Sequence, residues 1–211
     1  MRQLPTRADH RPRSRPSRGA PAAEAPSKRT LCCACVAEGD FFYVFIRNEP
    51  DFALARTKPD PELDRRLRAG GEVAEWLTLQ FDLEEGAVID YLPNSRAFRM
   101  CSQRLRDVLE RERGDADVLQ WLPATVTNGA GATLPFWILH FPRVPELINR
   151  AQSIFSGPVL VKAVLDVTLV AEHRVFSRPH DTVSLIVADS VRRAIAKAGC
   201  GGMEFSRVPI A

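Results

Sequence analysis

The chain has 211 residues, of which 45% are hydrophobic and 26% charged, the balance of a globular protein that can bury a core without disulfide or metal staples. No apolar run approaches the roughly 20 residues a membrane-spanning helix needs, which excludes that class. The net charge of +3 hides a split: residues 1–30 hold eight basic and two acidic side chains, leaving 21 basic against 24 acidic in the remainder.

The opening text, RPRSRPSRGAPAAEAPSKRT, is rich in Arg, Pro, Ala and Ser and too poor in apolar side chains to offset its chain entropy. Residues 1–38 are therefore expected to be a disordered basic head, with one folded domain over residues 39–211. The head reads as a solvated linker; an electrostatic nucleic-acid or anionic-membrane tail is the sharper alternative. Its apolar stretch LCCACVA is too short for a secretory signal, so a cytoplasmic protein is expected.

FFYVFIRN, from Phe41, is a β-rich aromatic run and predicts the first strand. DPELDRRLRAGG predicts a helix, with Asp60 as cap, Pro61 in the first helical position and Gly70 beyond the end. WLTLQFDLEEGAVIDYLP alternates like strand around an acidic turn that groups Asp82, Glu84, Glu85 and Asp90. CSQRLRDVLERERGD predicts the clearest helix. Ser102 caps it, Leu105, Val108 and Leu109 form its buried stripe, and Gly114 ends it. Arg106 with Glu110 and Asp107 with Arg111 have the spacing of ion pairs on its wet face.

LQWLPATVTNGAGATLPFWILHF predicts a hairpin, two β-rich runs joined through Asn128 and two glycines. A phosphate-binding loop would need a third glycine entering a helix; here Ala-Thr-Leu-Pro follows Gly131. ELINRAQ predicts one helical turn, PVLVKAVLDVTLV and RVFSR predict strands, and VSLIVADSVRRAIAKAGCGGMEFSRV predicts a strand–helix–strand unit capped by Asp189 or Ser190. The mixture predicts an α+β fold, a mixed or antiparallel sheet with a few packed helices.

Candidate chemistry is sparse. Cys32, Cys33 and Cys35 lack the second ligand pair of a structural zinc site, and neither a metal nor a cofactor is expected. An enzyme assembled in space would draw on Cys101, His140, His173, His180 and Asp181, but no nucleophile elbow, zinc-helix motif or phosphate-loop lysine accompanies them.

From Asp90 to Val208 the order of motifs resembles a family of bacterial immunity proteins typified by a myxobacterial member, formerly a domain of unknown function. The resemblance falls on Ser102-Gln-Arg-Leu, Leu122-Pro123, Phe136-Trp137 with Arg143-Val144, Val187-Ala188-Asp189, and Ala198-Gly199 with Phe205. Ala188 stands where the family carries a hydroxyl, and Cys200-Gly-Gly replaces a more regular linker. The resemblance implies a non-enzymatic antidote that binds a cognate polymorphic toxin domain, often a nuclease. Asp82, Glu84, Glu85 and Asp90 are then the candidate toxin interface, since carboxylates can mimic phosphate in a basic cleft.

Overall fold

The computed structural model describes residues 39–47, 49–179 and 183–211. The basic head, the CCAC cluster, His10, His180 and Asp181 lie outside the described residues. The fold is α+β and is built on two sheets.

The first sheet has six strands. They are β2 (Ala55–Arg56), β3 (Leu79–Leu83), β4 (Tyr91–Leu92), β5 (Met100–Cys101), β6 (Gln120–Thr127) and β7 (Thr133–His140), in the order β2-β3-β6-β7-β5-β4. β3 and β6 run parallel; every other neighbouring pair is antiparallel. Period-two alternation aims Phe81, Leu122, Ala124, Val126, Phe136 and Ile138 into one core. Helix α1 (Pro61–Ala69) covers that core with Leu63 and Leu67. Its cap is the expected one: Asp60 Oδ1 accepts from the Leu63 N–H at 3.0 Å, and Pro61 follows.

The second sheet joins β1 (Phe41–Ile46), β10 (Val175–Phe176), β11 (Leu185–Ala188) and β12 (Met203–Val208) in the order β10-β11-β1-β12, all antiparallel. Helices α2 (Gln103–Glu112) and α3 (Asp189–Lys197) pack beside it. Leu105, Val108 and Leu109 of α2 and Val191 and Ile195 of α3 enter a second, larger core with Leu185, Ile186 and Val187. A separate two-stranded hairpin, β8 (Ile154–Ser156) with β9 (Val159–Lys162), belongs to neither sheet.

Local expectations are met in part. ELINRAQ begins extended, with Ile148 bridging Leu165, and closes its one turn only at its end, where Asn149 O accepts from the Gln152 and Ser153 N–H groups at 3.3 and 3.0 Å. The run from Pro158 is strand only as far as Lys162. Asp166 Oδ1 accepts from the Thr168 N–H and hydroxyl at 2.9 and 2.6 Å, an Asx turn that breaks the extended path before a 3-10 turn at Val170–Glu172. Ala188, and neither Asp189 nor Ser190, is the N-cap of α3; Asp189 lies in the first turn and pairs with Arg192 and Arg193, where a carboxylate suits the helix dipole. Helix α2 ends at Glu112, with Arg113 as its C-cap and Gly114 next, where the glycine was expected to end it.

The wet face of α2 also differs. Arg106 leaves Glu110 and lies over the Trp137 ring, 3.8 Å from its centroid, with Trp121 at 5.8 Å. Glu110 accepts from Trp121 Nε1 at 2.5 Å and pairs with Arg113, while Asp107 accepts from Gln103. The predicted spacing was sound, but the hairpin tryptophans offer these side chains partners that an isolated helix lacks.

The β6–β7 connection is a turn held by Asn128. Its side-chain oxygen accepts from the Ala130 and Ala132 N–H groups at 3.1 and 2.9 Å, and Gly131 adopts φ +80°. Asn128→Ala is expected to cost about 1 kcal/mol of stability in urea unfolding. A cost of several kcal/mol would mean that the loop carries more than a turn.

Candidate interaction surface

The acidic turn is assembled from two chain segments. Glu84 donates its N–H to Leu54 O at 2.9 Å, Ala53 donates to Ala87 O at 3.0 Å, and Ala87 donates to Asp51 O at 2.7 Å. The segment Glu49–Leu54 thus lies along the β3–β4 turn, fixed by a Phe52–Ala87 bridge. Gly86 makes this contact possible. It adopts φ +144°, and a Cβ there would stand 2.5 Å from the Ala53 nitrogen.

The result is an exposed rim of Glu49, Asp51, Asp82, Glu84 and Glu85. Arg56 lies opposite Asp82 on β2 and forms an ion pair with Glu84. Sequence reading grouped Asp82, Glu84 and Glu85 with Asp90 and did not include Glu49 and Asp51. The signal was thin: only a bridge between segments some 35 residues apart brings them together.

Asp90 leaves this group. It is only 7% exposed, and its carboxylate is filled by donors from the fold itself. Ser102 Oγ donates at 2.6 Å, Arg104 donates through Nε and Nη2 at 3.1 and 2.6 Å, and the Gly201 N–H donates at 2.8 Å. Burial, the largest single influence on its pKa, pushes upward. The hydrogen bonds from Arg104, Ser102 and Gly201, with the Arg104 charge, outweigh it and hold the carboxyl below its ordinary value.

Of the side chains an enzyme would draw on, Cys101, His140 and His173 are each engaged by partners within the fold. Cys101 is fully buried in β5, and burial pushes its thiol far up, away from the nucleophilic thiolate. His140, at the end of β7, donates from Nε2 to Gly71 O at 2.8 Å. Burial lowers its pKa against the opposing pull of that hydrogen bond, with the Arg99 charge adding to the lowering. His173 Nδ1 donates to Asp117 Oδ1 at 2.8 Å. Asp117 also accepts the N–H groups of Gly114, Arg174 and Val175 at 2.7, 2.8 and 2.7 Å, so its carboxylate splices the loop after α2 to the start of β10. A Cβ on Gly114 would stand 2.2 Å from Glu172 O, so that splice also needs glycine. Among the described residues no three His, Cys, Asp or Glu side chains gather as metal ligands. No described helix is long and apolar enough to cross a membrane.

Residues 43–209 match the family model described as Immunity protein family (Imm11), and the chain belongs to that family. The match extends the resemblance read from Asp90 onward back to β1. No curated protein matches the chain.

The bonding of Asp90 sets a pH dependence. Because its folded pKa is lowered, its stabilisation is complete above the ordinary value of 3.8 and is lost as pH falls through the lower folded value. Asp90→Asn is expected to cost about 2–3 kcal/mol at pH 7, a deficit that narrows below pH 3.8. Urea unfolding of both proteins at pH 7 and in acid checks this; a deficit independent of pH would contradict it.

Proposed function

We propose that this chain neutralises a toxin protein by direct binding and without chemistry of its own. Membership of the immunity protein family carries the reading, since an antidote of this kind needs a complementary surface and no catalytic residues, metal or cofactor. The rim of Glu49, Asp51, Asp82, Glu84 and Glu85 supports a partner with a basic surface, for which a nuclease cleft is the leading candidate. Clustered carboxylates raise the rate of encounter with such a surface, and they do so most at low salt. The system would be a bacterial polymorphic toxin and its cytoplasmic antidote.

Arg56 neutralises part of this field through Glu84, so Asp82 and Glu85 contribute most of it on the β3–β4 side. Asp90 has no place in the interface, because its oxygens are already occupied inside the fold.

The test uses the toxin domain encoded by the adjacent gene. The triple variant Asp82→Lys, Glu84→Lys, Glu85→Lys is expected to slow association about 10-fold or more at low salt, with the difference shrinking as salt rises. Stopped-flow binding and survival of cells co-expressing the toxin are the readouts. Unchanged rates and unchanged survival would remove the rim from the interface. A wild-type chain that neither binds nor protects would sink the immunity reading itself.

A further inference from the structure

We draw no further inference here: the strongest candidate, the cavity at the start of α3 lined by His173, Arg174 and Ser190, rests on a helix N-terminus beside carboxylates already paired with arginines, with His173 held by Asp117 and no second observation among the described residues that points to a ligand.

Discussion

The carboxylate of Asp90 is the joint on which the two sheets depend. Asp90 immediately precedes β4 in the six-stranded sheet. Its oxygens take Ser102 and Arg104 from the start of α2, and Gly201 from the approach to β12 in the four-stranded sheet. The backbone repeats the connection, with Ser102 donating to Asp90 O at 2.8 Å and Tyr91 donating to Gly201 O at 3.2 Å. A buried charge is tolerated only when its lone pairs are filled, and here they are. Ser102 serves twice, since its hydroxyl also accepts the Leu105 N–H that caps α2.

Other buried polar groups follow the same rule at smaller scale. Asp117 binds three backbone N–H groups and His173. Asn94 accepts from Arg96 and Phe98 while donating to Leu92 and Phe98 carbonyls. Arg96 then reaches Asp64 at 2.5 Å and the Lys58 and Asp60 carbonyls, tying α1 to the loop after β4. Groups that looked like reactive candidates are thereby committed to holding irregular connections in place. What remains exposed is the carboxylate rim of Glu49, Asp51, Asp82, Glu84 and Glu85 at one loop pair.

The hairpin tryptophans show how packing overrides local spacing. Arg106 and Glu110 have the separation of an ion pair on an isolated helix, worth a few tenths of a kcal/mol. Beneath α2, Trp137 offers Arg106 a ring face and Trp121 offers Glu110 an N–H donor. The backbones of both partners are held by β6–β7 pairing, so less freedom is lost in meeting them.

Much of this was legible in the chain itself. The caps at Asp60 and Ser102 marked α1 and α2, the 3.6-residue apolar stripes marked α2 and α3, and alternation around Asn128 determined the hairpin, because those signals act over a few residues and need no distant partner. Motif order also pointed to the family that residues 43–209 match. Only the tertiary structure decided where the charges went. Asp82, Glu84, Glu85 and Asp90 are neighbours in sequence, but β4 carries Asp90 into the interior while the Phe52–Ala87 bridge brings Glu49 and Asp51 to the rest. β9 could be read as strand, but neither β8 nor the pairing of the two outside both sheets was legible. Burial and exposure belong to pairs of distant segments, and no local pattern encodes which segments will meet.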